Sequence, residues 1–306
     1  MPTSRVTSAR RLEALPPFRT VGTPGLPNRS HGVVYLFFAH FSFSAPGIGT
    51  HAMVKSYDGG HNWTRPQDIV SMNDACYNID PVSLRCVEDG VAGARMDLTA
   101  APSVDIANGA PTGADATNEI IDTWADGSLG LNNEKVMLSY STNGGDSWSS
   151  PMVISSAGDR GYYSAAAISP VGQELHIVYN AFTTPYRTNT SDPRTLVGVV
   201  LHADIDADGV PMGWTELHRS PPGDPRGSPS DPFNASEFLG DYVYAIATST
   251  YAAVVWNDAR DAADCPAADA YRMSLRGGPP APRPAPQQDC PSTFGNVDIF
   301  SWTSAP

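Results

Sequence analysis

Blocks of basic residues, long apolar runs and helical periodicity are missing from this sequence, and each absence excludes something. Nineteen Lys and Arg stand against 32 Asp and Glu, a net charge of −13 over 306 residues, and the basic residues form no block. Nucleic acid and anionic membrane surfaces both demand clustered cations, so neither is an expected partner. No window approaches the roughly eighteen apolar residues that a membrane span needs. The opening stretch MPTSRVTSARRLEALPP is basic but has no apolar h-region, so no signal peptide is expected in this chain. Cys-x-x-Cys and His-x-x-x-His spacings are absent, which argues against zinc sites of those kinds. With 27 Gly, 28 Pro and no useful run of helical period, helix content is expected to be very low.

What is present reads as strand. VVYLFFAHF (33–41), EIIDTWADG (119–127), ELHIVYNAF (174–182) and YAAVVWNDAR (251–260) are short apolar, β-branched and aromatic runs that end in turn residues. Trp124, Tyr179 and Trp256 occupy matching places, each followed one or two residues later by Asn or Asp. A small-residue strand precedes the last three runs, and HAMVKS, EKVMLSYS, TLVGVVLHAD and NVDIFSW follow the four in turn. GWTELHR (213–219) supplies a fourth, outer strand for one of them. An antiparallel sheet of three or four strands, repeated four times, is the pattern of a β-propeller, in which no blade can bury its faces alone.

Four cysteines fall into two local pairs, Cys76 with Cys86 and Cys265 with Cys290, each bracketing a segment rich in Gly, Pro and Asp. Two loop-stapling disulfides, and with them export, are the simplest reading; free thiols are the alternative, since spacing does not choose among the three possible pairings. The Pro-rich stretch 277–288 reads as a stiff excursion inside the last blade. N-x-S/T sequons begin at Asn28, Asn62, Asn189 and Asn234 and carry no weight without a known host.

One cassette occurs twice. SYDGGHNWTRP supplies Ser56, Asp58, Gly59, Gly60 and Trp63, and STNGGDSWSSP supplies Ser141, Asn143, Gly144, Gly145 and Trp148 in the same register. Asp58 or Asn143 can accept backbone N–H groups in a tight turn, the glycines allow positive φ, and the indole can wedge against the next blade. This S-x-[D/N]-G-G-x-x-W pattern resembles the Asp box, or BNR repeat, of the sialidase-like β-propellers, and repeat-like strands from about residue 17 to 303 extend the resemblance over nearly the whole chain. It implies an all-β fold of the sialidase-propeller type over 17–306 behind an N-terminal tail, 1–16, and a secreted bacterial protein. About four blades are recognised where a sialidase has six. Either the chain is part of a longer propeller, or insertions such as 71–100 conceal strands. In the family the Asp box is structural and lies away from the central pocket.

The resemblance also implies a site. Sialidases grip a carboxylate-bearing sugar with three arginines and attack with a Tyr paired to a Glu, while an Asp handles the leaving-group proton. Arg19 in PFRTVG lies where the family has its first arginine, although Thr20 and Val21 replace the usual Ile and Pro. Arg160, Arg187 and Arg260 sit at strand margins and are the other substrate-binding candidates. Glu237, Asp241 and Tyr242 in SEFLGDY form the candidate catalytic neighbourhood. From Val33 to Tyr57 there is no acidic residue, yet that is where the family carries its general-acid Asp; His40 is the candidate to replace it, since an imidazole titrates near neutral pH. DIDADG places Asp204, Asp206 and Asp208 at the spacing of a calcium loop, although Thr215 replaces the twelfth-position Glu. A structural calcium is therefore a candidate, and no cofactor is required.

Three functions follow from these residues: a sialidase-like glycoside hydrolase, a non-catalytic propeller that binds glycans or proteins, and a propeller polysaccharide lyase using a His or Tyr base beside an Arg. A glycan is the expected partner.

Overall fold

The computed structural model describes residues 32–42, 47–96, 99–228, 239–240 and 242–304. Among them, four antiparallel sheets follow one another along the chain. The first is β1 (Val34–Phe41), β2 (Ile48–Ser56) and β3 (Gln67–Asn73). A two-stranded hairpin follows, β4 (Cys86–Val87) with β5 (Arg95–Met96), within the segment expected to hide strands. The second sheet is β6 (Ser103–Ile106), β7 (Ile120–Asp126), β8 (Lys135–Ser141) and β9 (Met152–Val153). The third is β10 (Arg160–Ile168), β11 (Glu174–Phe182), β12 (Leu196–Ile205) and β13 (Pro211–Arg219). The fourth is β14 (Tyr244–Ala247), β15 (Ala252–Asp258) and β16 (Asp298–Thr303).

The sheets stack face to face in chain order, which is why their central strands read as almost unbroken apolar runs. In β11 the odd residues Leu175, Ile177, Tyr179 and Ala181 join Ile121, Val136 and Leu138 of the second sheet in one core cluster. The even residues Val178 and Phe182 join Val254 and Trp256 of the fourth sheet in another. Met72 of the first sheet meets Ala100 and Trp124 in a third. Each fully buried aliphatic side chain here contributes about 1.5–3 kcal/mol.

Polar pins join the layers. Fully buried His51 on β2 places Nδ1 2.7 Å from Asp122 Oδ2 on β7 and donates from Nε2 to the Ala100 carbonyl. Burial opposes its charge, but the Asp122 carboxylate, the Ala100 carbonyl and Asp126 together outweigh burial and the His51 pKa is raised. Asn180 Nδ2 donates to the Asn257 carbonyl, tying the third sheet to the fourth. The aromatic and Asp pattern seen in the sequence is a bond: the Trp124 and Trp256 indole N–H groups donate to Asp126 and Asp258 two residues on, at 3.0 and 2.9 Å. Tyr179 instead donates to Asp159. Trp256 lies against Gly198, where a Cβ would fall 2.3 Å from the indole, so this layer contact requires glycine.

The two cassettes adopt the same turn. Ser56 Oγ donates to Asp58 Oδ1 and accepts from Gly60 N, while Asp58 Oδ1 accepts from Asn62 N. Ser141, Asn143, Gly145 and Ser147 repeat that set. All four cassette glycines have positive φ. Trp148 packs edge-on to Phe37 of the first sheet at 6.2 Å, the expected wedge, whereas Trp63 is 43% exposed. Both indoles precede the outer strands, which begin at Gln67 and Met152.

Both expected disulfides form, Cys76–Cys86 and Cys265–Cys290. The second brackets an excursion between β15 and β16 that carries two helices, α1 (Pro266–Ser274), which lies before the Pro-rich stretch 277–288, and α2 (Pro286–Asp289), which begins within it. Pro266 starts α1 at low cost because its missing N–H has no helical partner at that position. Among the described residues no helix is long and apolar enough to cross a membrane.

Candidate functional site

At one end of the second and third sheets, the disulfide-stapled hairpin roofs a recess lined by Tyr77, Asp89, Glu134, Arg160, Tyr162 and Tyr186 among others. Its enclosed part amounts to about 20 Å³, room for a water molecule or two and not for a sugar ring. Arg160 opens β10, and its pairing with β11 slips between Gly161 and Ser164, a bulge that carries Tyr162 and Tyr163. Such bulges re-aim side chains. Asp89 comes from the short turn 88–90 and has a positive φ of 44°. Gly90 beside it has φ +76°, and a Cβ there would fall 1.8 Å from the Arg187 carbonyl oxygen, so the turn closes only on glycine.

Arg160 binds two carboxylates brought from distant segments. Its Nε donates to Glu134 Oε2 at 3.0 Å, and its Nη2 donates to Asp89 Oδ1 at 2.5 Å and to Glu134 Oε1 at 3.3 Å. Nη1 donates to the Thr184 carbonyl. All three charged residues are buried. Burial raises the pKa of Asp89 against the pull of Arg160. Neighbouring Glu88 is pushed up to about 8 by burial and by Asp89, although a hydrogen bond from Tyr162 works the other way. Tyr77 and Tyr186, whose rings meet edge to face at 6.2 Å, both have pKa values raised by burial first. A carboxyl group with a raised pKa in a tyrosine-walled recess, as Asp89 is here, is a feature that reactive centres share with structural ion-pair networks.

Behind the recess lies Arg194, fully buried. Its guanidinium donates to the carbonyls of Asp89, Arg187, Asn189, Thr190 and Asp192, with the Asp89 carboxylate 3.8 Å away. Arg226 continues the chain of charge to Asp224 and Asp264.

The candidates chosen from sequence disperse. Arg160 lies at the centre of the recess. Arg187 contributes its carbonyl and is otherwise exposed, and Arg260 pairs with Asp258 at 2.6 Å while covering the Phe300 ring. Arg19, Glu237 and Asp241 lie outside the described residues, and Tyr242 is 50% exposed. His40 contacts Asp68 in an exposed pair. In the stretch read as a calcium loop, Asp206 Oδ1 accepts the backbone N–H groups of Asp208 and Val210 and so caps the β12–β13 hairpin. Donors of metal-binding type converge elsewhere among the described residues, at Glu174, His176 and His202. Glu88, Asp89 and Glu134 carried no sequence signal, because neither a strand pattern nor a motif marks them.

No protein-family profile matches the sequence, and no curated protein matches it. Among solved structures, the fold is similar to an α-L-arabinofuranosidase from Fusarium graminearum in complex with arabinobiose, at 12% identity and TM-score 0.41, over 74% of this chain and 54% of that one. An α-L-arabinanase from Penicillium chrysogenum complexed with arabinobiose gives 13% identity and TM-score 0.41 over 77% and 55%. A microbial sialidase gives 12% identity and TM-score 0.34 over 68% and 35%. The chain thus spans about half the length of the two arabinan-related enzymes.

Proposed function

We propose that the four sheets are blades of a propeller and that the chain is an exported glycoside hydrolase acting on glycans, with its reacting groups in the Asp89, Arg160 and Glu134 recess. One observation carries this reading: two buried carboxylates accept from a single guanidinium nitrogen, at 2.5 and 3.3 Å, so those oxygens lie no more than about 5.8 Å apart. Retaining glycosidases hold their carboxyl groups at ~5–5.5 Å, and inverting ones at ~6.5–9.5 Å. In this reading Asp89, whose pKa burial raises, gives the proton to the leaving oxygen. Glu134 attacks the anomeric carbon as the bond to the leaving oxygen breaks, and Asp89, left as a base, takes a proton from the water that then cleaves the sugar from Glu134. Two disulfides support export.

Charge favours a neutral sugar, because Arg160 and Arg194 are already matched by Asp89 and Glu134. Sialidase chemistry is the narrower form, and the hydrogen-bonded Tyr162 and Glu88 beside Arg160 are a phenol–carboxylate pair of the kind it uses. Glu237, Asp241 and Tyr242 with Arg19 remain the alternative constellation. The small enclosed volume favours a second reading, a propeller that binds glycans without cleaving them.

The test is fluorophore release from an aryl α-L-arabinofuranoside and an aryl α-sialoside by protein that shows one cooperative melt. Glu134→Gln and Asp89→Asn should each lower turnover by about 10²-fold or more. Loss in Glu237→Gln with no loss in those two variants would move the centre to the alternative constellation. No turnover, together with retention on a glycan array, would make the protein a binding module.

A further inference from the structure

The face of the third sheet that looks toward the fourth carries residues with no part in the recess. Strand register sets His176 on β11 directly opposite His202 on β12, and Glu174 opposite Asp204. Since directly opposed residues and residues two apart share a face, all four side chains emerge on the same side of the sheet. The two imidazole rings lie 4.9 Å apart, His202 Nε2 is 3.8 Å from Glu174 Oε2, and one donor atom from each of Glu174, His176 and His202 lies within 4.8 Å of the others.

His176 is only 6% exposed, and its Nδ1 has no hydrogen-bond partner. A buried polar atom left this way costs about 1–3 kcal/mol, so its retention calls for a ligand. On one side stands Trp302 of the fourth sheet, its ring 6.2 Å away, and the face opens toward solvent at partly exposed His202 and exposed Glu174.

We infer that Glu174, His176 and His202 bind a divalent first-row transition metal of the zinc class. Two imidazoles and a carboxylate are the mixed donor set that such ions take, and calcium is disfavoured because it prefers all-oxygen coordination. A tetrahedral ion with bonds of ~2.0–2.1 Å draws its donors to roughly 3.4 Å from one another. Rotation of exposed Glu174 and partly exposed His202 supplies that contraction. Asp204 shares that face opposite Glu174 but stands outside the three-donor group, so water completes the coordination. The ion would pin β11 to β12 where they meet the fourth sheet.

Tag-free, chelator-treated protein titrated calorimetrically with Zn²⁺ should take up one equivalent. Co²⁺ should give the visible absorption of a four- or five-coordinate nitrogen and oxygen site. His202→Gln, at a position open enough to tolerate it, should weaken Zn²⁺ binding about tenfold or more. Glu174→Gln, at an exposed position, should do the same with an unchanged melt in the absence of metal. No uptake at 100-micromolar Zn²⁺ (about the affinity of a useful site), or uptake that neither substitution weakens, would overturn the inference.

Discussion

Replacing Arg160 by Met retains a long apolar stem against the Phe182 and Tyr186 rings, which the guanidinium carbon covers at 5.6 and 5.9 Å, and removes the charge that serves two buried carboxylates. Glu134 loses both its bonds to this residue, and Asp89 is left with Arg194 at 3.8 Å. Breaking a buried ion pair by deleting one partner costs about 3–5 kcal/mol, because the remaining charge is uncompensated. A loss of that size is a large fraction of the ~5–15 kcal/mol that stabilises a domain.

The cost should depend on pH. Burial already raises the pKa of Asp89 in the folded state, and deleting the guanidinium removes the contact that opposes that shift. The folded state then binds more protons than the unfolded one, so the variant's stability falls as pH rises through the unfolded pKa and recovers as pH drops. Urea unfolding at pH 7.5 and pH 5 should therefore show a larger gap from the parent protein at pH 7.5. Adding Glu134→Gln to Arg160→Met should recover part of the loss, since one stranded charge disappears. A destabilisation under about 1 kcal/mol, equal at both pH values, would refute the claim that these are paired buried charges and would class the cluster with surface ion pairs.

Two further predictions concern the turns and the staples. Gly145→Ala should destabilise more than Gly60→Ala. Both incur about 1–2 kcal/mol for an L-residue at positive φ, but only at Gly145 would the Cβ fall 2.6 Å from Met53 Cε. Thermal melts of the two variants should separate accordingly, and equal losses would contradict the packing described. Paired Cys→Ser replacement should cost about 3.5 kcal/mol for Cys265–Cys290 and about 2.7 kcal/mol for Cys76–Cys86, from loops of 25 and 10 residues, read by urea unfolding.

The fold was legible wherever a strand is buried on both faces. ELHIVYNAF (174–182) has the same limits as β11, because its apolar run ends at turn residues on either side. The cassette turns were legible because their chemistry is local: a Ser and an Asp or Asn two residues apart satisfy the same backbone groups in both copies. The recess was not. Asp89 lies 71 residues from Arg160 and sits in a stapled segment with no periodic pattern, so only the packing of the hairpin over the sheets brings them together. Arg160 itself was selected for its place at a strand margin, whereas Arg187 and Arg260, selected on the same ground, turned to a surface and to a neighbouring Asp. The His176 and His202 pair depends on register, which a sequence without a short connecting turn does not fix. α1 escaped notice because nine residues between prolines and a cysteine are too few to display a helical stripe.

Arg194 has a consequence for how the molecule responds to its surroundings. A loop that turns four of its carbonyl oxygens toward one point needs a positive centre there, and calcium sites supply it with a dissolved ion. Here the centre is covalently attached to the chain. The ordering of 187–192 is thus independent of the ionic composition of the medium: a chelator has nothing to remove, dilution cannot empty the site, and the wall of the recess is set as soon as the chain folds.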